Sequence, residues 1–209
     1  MPTTPFGPPY RVVTPSVVLR CFDPSDAPAV HRLIAESLEH LRPWVAWAKD
    51  EPRTLAEKVR ELRQWRASFD LDQCWHWAVV SAEDGEVAGG ILLNRLELDP
   101  ATLDTGGWVG HARARRGFQT DATAAVLRVS FEVLGVTRVQ AATDPANDRS
   151  NALMRKLGFT HEATTRHLEH GQRHDELLWS ILADEWPGTF AADVASEARA
   201  FDALGNRVF

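Results

Sequence analysis

DTGGWVGH (residues 104–111), ARARRGFQTDA (112–122) and DPANDRSNALMRKLGF (144–159) are the stretches from which the fold is read. The first is a glycine-interrupted strand, and the second is a basic turn around the single glycine Gly117. After that turn Ala122, Ala125, Val126, Val129 and Val133 recur at helical spacing, and Gly135 closes the helix. A strand follows at 137–143, broken by Asp144-Pro145. Asn147 is placed to cap a short helix running to Leu157, with Gly158 where a left-handed C-terminal residue is wanted. Strand, turn, helix, strand, helix is an order that can hold a phosphate. A helix N-terminus offers outward amides, Gly117 permits close approach, and Arg113, Arg115 and Arg116 add positive charge. Alone, a glycine in such a turn with surface arginines is commonly just a turn.

Upstream, residues 1–16 are proline-punctuated and read as an N-terminal arm. A strand is expected at 17–22. Ala27, Val30, Ile34, Leu38 and Leu41 then predict one helix that stops before Pro43. LRPWVAWA (41–48) is too short and too proline-broken to be a core helix by itself. Thr54 and Glu57 form a capping box, hydroxyl and carboxylate each taking an orphan amide, at the head of a helix striped by Leu55, Val59, Leu62, Trp65 and Phe69. Residues 74–81 and 86–94 flank the Glu83-Asp84-Gly85 turn as a hairpin, 94–103 reads as irregular, and the central strand is expected to begin near Asp104. Downstream, 162–170 and 173–182 pair around Gly171-Gln172. Residues 187–209 form a tail in which Val194, Ala198 and Phe201 predict a short helix. The reading is β-α-α-β-β-β-α-β-α-β-β, an α/β (α+β) domain over 17–186 with helices on a mixed sheet.

A net charge of −6 argues against general nucleic-acid binding while leaving the local arginine turn free to hold phosphate. No apolar run approaches the roughly 18 residues of a membrane span and the N-terminus lacks a signal pattern, so a cytoplasmic setting is expected. Cys21 and Cys74 cannot build a disulfide framework, and Cys74 with His76 offers two ligands rather than a zinc set, so no metal is expected. Neither Gly-Lys-Ser/Thr, Gly-x-Gly-x-x-Gly nor Gly-x-Ser-x-Gly occurs, which disfavours nucleotide hydrolysis, dinucleotide binding and a serine-hydrolase elbow.

The run from WVG through RGFQTDA to DPANDRSNALMRKLGF resembles the Gcn5-related N-acetyltransferases (GNAT), in particular the RimJ/RimL-like branch that acetylates ribosomal-protein N-termini. The patterns of that branch read approximately RGxGYATEA and DPxNxxSxxxxxKxGF. LRPWVAWA and the DEW at 184–186 add to the likeness, which covers about 17–186. It implies a mostly antiparallel twisted sheet, helices on both faces, and a central strand pair that splays so that the pantetheine arm of acetyl-CoA lies in the gap. The implied activity is acetyl transfer from acetyl-CoA to a primary amine, a peptide or protein N-terminus or a small molecule, by direct attack in a ternary complex. A non-catalytic acyl-CoA-binding module and a different donor such as succinyl-CoA are the alternatives, and a homodimer is left open.

By the same resemblance, backbone groups of Trp108, Val109 and Gly110 would hold the pantetheine or polarise the thioester. Arg113, Arg115, Arg116, Gly117, Phe118, Gln119 and Thr120 would hold the pyrophosphate. Asn147 either caps its helix or touches the pantetheine. Ala114, Gln119 and Asp121 depart from the pattern, and Gln119, bulkier than the usual Gly or Ala, is expected to narrow the turn. Tyrosine, the acid of many relatives, occurs only as Tyr10 in the arm. Ser150 is implied instead as the partner of the CoA sulfur and Glu169 as the base for the amine. Asp104 and His111 are reserve bases, and His167 and His170 flank Glu169. Trp44 and Trp47 are expected to border the acceptor groove.

Overall fold

The computed structural model of the chain describes residues 7–96, 99–169 and 172–209, with the backbone alone described at 167–169 and 172–173. Strands β1 (Arg11–Val13) and β2 (Val17–Cys21) precede helices α1 (Ala27–Ala35), α2 (Leu38–Leu41) and α3 (Leu55–Asp70). A meander of β3 (Cys74–Ser81), β4 (Val87–Leu96) and β5 (Asp99–Val109) leads to α4 (Phe118–Arg128), which ends in a π-helical turn over Val129–Val133. Then come β6 (Arg138–Thr143), α5 (Asp148–Leu157), β7 (Thr160–Glu169), β8 (Gln172–Leu182), α6 (Phe190–Ala195) and β9 (Arg199–Phe201). The described strands form one sheet in the order β7-β8-β6-β5-β4-β3-β2-β1-β9, in which β5 and β6 are the parallel pair. No helix among the described residues is long and apolar enough to cross a membrane.

Strand alternation sorts the core onto two faces. Trp75, Trp77 and Val79 of β3 point with Ile91, Leu93 and Leu103 toward the apolar side of α4. Ala78 and Val80, of the other parity, point with Phe22 toward Val30 and Ile34 of α1 and Leu62 of α3. Trp75, Trp77 and Trp179 are all but sealed from solvent. At 25 cal/mol per Å² each such ring contributes about 4–6 kcal/mol of burial.

The helix starts follow their local chemistry. Glu57 N–H donates to the Thr54 hydroxyl at 3.3 Å while Thr54 N–H donates to the Glu57 carboxylate at 2.8 Å, the expected capping box. Ser150 N–H donates to Asn147 Oδ1 at 3.1 Å, and Gly158 closes α5 at φ +95°.

Four expectations change. The helix foreseen over 27–41 breaks into α1 and α2, because the buried Ser37 hydroxyl accepts a 2.9 Å bond from His111 N–H and ties this bend to the end of β5. The stretch 94–103, expected irregular, is largely strand. Asp99 organises its start, accepting from Ala101 N–H at 3.1 Å and from the Thr102 hydroxyl at 2.5 Å. The arm contributes β1 inside the sheet, with Val12 fully buried. In the tail the helix ends at Ala195, and Phe201 belongs to a strand instead.

The short pairing of β5 with β6 positions the groove. β5 and β6 pair at Thr102–Arg138, Leu103–Val139 and Asp104–Gln140. There the pairing stops. β5 continues beside β4 to Val109 and β6 continues beside β8 to Thr143, so the sheet forks at Asp104.

Candidate functional site

The fork opens a groove of about 760 Å³ whose walls are Thr105 to Val109 on one side, Ala141 to Asp144 on the other, and the starts of α4 and α5. Beyond Asp104 the β6-facing edge of β5 has no strand partner among the described residues. Its amides and carbonyls can therefore hold an extended ligand as a neighbouring strand would. Trp108 and Val109 line the groove. Gly110 does not; it lies where a side chain would collide with Leu33, and it lets the end of β5 pass close over α1.

At one end the turn delivers backbone donors. Arg115 and Gly117 both adopt left-handed conformations, at φ +65° and +83°. No side chain caps α4 among the described residues, which leaves its first amides for a ligand. Gly117, Phe118, Gln119 and Thr120 line the groove here with Arg113 and Arg115. The three arginines are not equivalent. Arg113 pairs with Asp84 and Arg116 with Glu83, both on the β3–β4 turn, and Arg116 also lies 5.2 Å over the Phe118 ring, outside the groove wall. Arg149, on α5, lines the groove and escaped the sequence reading.

The Gln119 amide reaches across to Gly107 of β5, where a side chain on residue 107 would collide with its Nε2. Its Oε1 is buried without a hydrogen-bond partner among the described residues. A groove-lining acceptor of that kind suits an amide N–H of a pantetheine arm, and together with the free α4 amides it makes the groove fit acetyl-CoA.

The other wall is held by a network absent from the sequence reading. Trp179 Nε1 donates to the Thr143 hydroxyl at 2.7 Å, which donates to Asn151 Oδ1 at 2.6 Å, and Asn151 Nδ2 donates to the carbonyls of Asp144 and Pro145. These bonds fix the start of α5 on the end of β6. Asn147 and Ser150 consequently face the groove. The Glu169 side chain and His167 lie outside the described side chains, and His170 outside the described residues.

Titratable groups gather near the fork. Burial, opposed by the Gln140 amide at 3.5 Å and reinforced by Glu176, pushes the Asp104 carboxyl up to about 6. His174 and Glu176 of β8 line the groove, with His174 Nε2 3.5 Å from Glu176 and Nδ1 4.0 Å from Asp144. His40 lines it too, and burial, His111 and Arg149 hold that ring below its usual value. His111, the reserve base, is exposed, 5.2 Å from the His40 ring. Tyr10 is bonded to Asp70 of α3 at 2.6 Å, and burial raises it to about 12.

Trp44, 41% exposed, borders the groove, whereas Trp47 turns inward and meets Trp108 edge to face at 5.6 Å. Burial lifts the Cys74 thiol to about 11, far from a reactive thiolate. No cluster of three or more His, Cys, Asp or Glu able to hold a metal occurs among the described residues.

Comparison with known proteins places this geometry. The family profile described as Acetyltransferase (GNAT) domain matches residues 16–160. YdaF of Bacillus subtilis, named provisionally as a ribosomal N-acetyltransferase, is 25% identical over 179 residues, covering 84% of this chain and 96% of YdaF. Mycobacterium smegmatis RimJ, solved in complex with CoA-disulfide, is 27% identical with a TM-score of 0.75, covering 90% of this chain and 95% of RimJ. RimL, a ribosomal L7/L12 α-N-protein acetyltransferase solved with coenzyme A, is 20% identical with a TM-score of 0.74, covering 83% and 97%, a likeness that carries the fold. Because the family match runs over most of the chain and takes in both walls of the forked groove, the chain belongs to the GNAT acetyltransferases and transfers acetyl groups to amines.

Proposed function

We propose that the donor is acetyl-CoA and that the acceptor is the α-amine of a peptide or protein, the two meeting in a ternary complex within the groove. One observation carries this reading: a single groove joins free helix-start amides at one end to carboxylates and histidines at the other. Bound there, acetyl-CoA supplies an activated acetyl thioester. The α4 amides after Gly117, with Arg115 and Arg149, hold phosphate charge. The open edge of β5 at Trp108 and Val109 holds the pantetheine, and Asn147 shapes the opposite wall while capping α5.

An alkyl amine, with a pKa near 10, arrives protonated and must lose a proton before it attacks. Glu176, in the groove wall with His174, attracts the ammonium, and Glu169 is the base that the family resemblance implies. The Ser150 hydroxyl donates to the sulfur as it leaves. Protein N-termini are favoured as acceptors because the names of YdaF and RimL point to ribosomal proteins, and such acceptors belong to the cytoplasm.

Incubation with radiolabelled acetyl-CoA and a pool of N-terminal peptides and small amines tests the proposal. Label is expected in peptides. Tight CoA binding with no transfer above blank would overturn it in favour of a non-catalytic acyl-CoA-binding module.

A further inference from the structure

A second cavity, of about 200 Å³, lies on the α3 face of the sheet and shares Gly106, Gly107, Trp108 and Val45 with the groove. Its other walls are mostly apolar and aromatic, with Lys58 and Glu61 at the border. The His76 ring stacks parallel to Trp65, with centroids 4.6 Å apart, and Trp47 closes edge-on against Trp108. Phe22 completes the aromatic lining. Gly90 keeps this arrangement open: a Cβ there would stand 2.9 Å from Trp108 Nε1 and 3.4 Å from the Phe22 ring.

The charged residues at the border are occupied with one another. Lys58 Nζ lies 2.7 Å from Glu51 and 2.5 Å from Glu61, and Arg53 holds the other Glu61 oxygen at 3.1 Å. Burial holds His76 near 4, so the ring is neutral at physiological pH. The cavity therefore presents no unpaired charge from these groups to a guest, and its chemistry selects a neutral apolar one. Its volume exceeds the roughly 150 Å³ of an apolar protein cavity able to take up benzene. A concave, aromatic-lined space that opens beside a reaction groove is the kind of site that takes an apolar substituent.

We propose that this cavity is the acceptor-specificity subsite: it takes a large apolar or aromatic side chain carried next to the reacting amine, so that the preferred acceptor is a peptide or primary amine with such a substituent. The inference rests on the acetyl-transfer reading. The shared wall, Gly106 to Trp108, is the β5 segment that flanks the donor gap, which puts a guest anchored in the cavity beside the acetyl group.

The test compares kcat/KM for peptides identical except for a first residue of Gly, Ala, Leu or Phe. Leu or Phe is expected to exceed Gly at least tenfold. Leu92→Trp, which fills the cavity from β4, is expected to bring the ratio to about one. Indole provides a second measurement on the unaltered protein, which holds even if that variant fails to fold. It should inhibit transfer to the Phe peptide competitively and leave the Gly peptide unaffected. Transfer that is equal for all four peptides, or insensitive to indole, overturns the subsite and leaves acetyl transfer standing. No release of CoA with any acceptor overturns both.

Discussion

Asp104 sits at the fork as a half-buried carboxylate whose pKa is raised from the usual 3.8 to about 6, chiefly by burial. The folded protein therefore binds that proton more tightly than the unfolded chain. The stability this contributes is complete below pH 3.8 and is lost as pH rises through about 6, above which the fold carries the charge at a cost. At 1.36 kcal/mol per tenfold, the gap converts to at most about 3 kcal/mol, and residual solvent contact brings the expectation to about 1–3 kcal/mol. Asp104→Asn keeps the shape and removes the charge. Urea denaturation should find it more stable than the parent by that amount at pH 7.5, with the difference closing toward pH 4. Equal or lower stability at pH 7.5, or a difference that does not change with pH, would refute the reasoning.

Three further outcomes follow from the geometry. Ser150→Ala should lower kcat by roughly ten- to a hundredfold in steady-state assays while leaving the melting temperature unchanged, because the α5 cap uses the backbone N–H of Ser150 and the side chain of Asn147. A melting temperature that falls in step with activity would return Ser150 to a structural role. Gly117→Ala meets open space but forces a side chain into φ +83°, which costs about 1–2 kcal/mol; calorimetric titration should show weaker CoA binding as the α4 amides shift. Lys58→Met strands the buried Glu51 and weakens the hold on Glu61. Thermal denaturation should report a loss of about 3–5 kcal/mol, with the fall expected at both low and moderate salt.

Features governed by a few adjacent residues are legible in the sequence itself. The Thr54 capping box, the Asn147 cap and the left-handed Gly158 each follow from contacts within four residues or from one residue's backbone freedom. What escaped depends on distant pairing. Asp84 and Glu83 reach Arg113 and Arg116 across 29 and 33 residues, so a turn that reads as three free cations presents a different electrostatic face. His174 and Glu176 enter the groove wall because β8 pairs with β6, a register that local alternation does not reveal. Asn151 was readable only as one polar residue of a short helix, although its burial makes it the tie between α5 and β6. Three-residue strands such as β1 and β9 carry too little period to announce themselves.

β1 lies between β2 and β9, so residues 11–13 meet residues 199–201 across almost the whole chain. Closing so long a loop is entropically costly, and the reward arrives only when the intervening sheet already exists. This seam is therefore expected to form last on refolding and to open first under denaturant. While it is open, β1 would present an unpaired edge to other chains, which makes the seam, remote from the groove, the place where aggregation would begin.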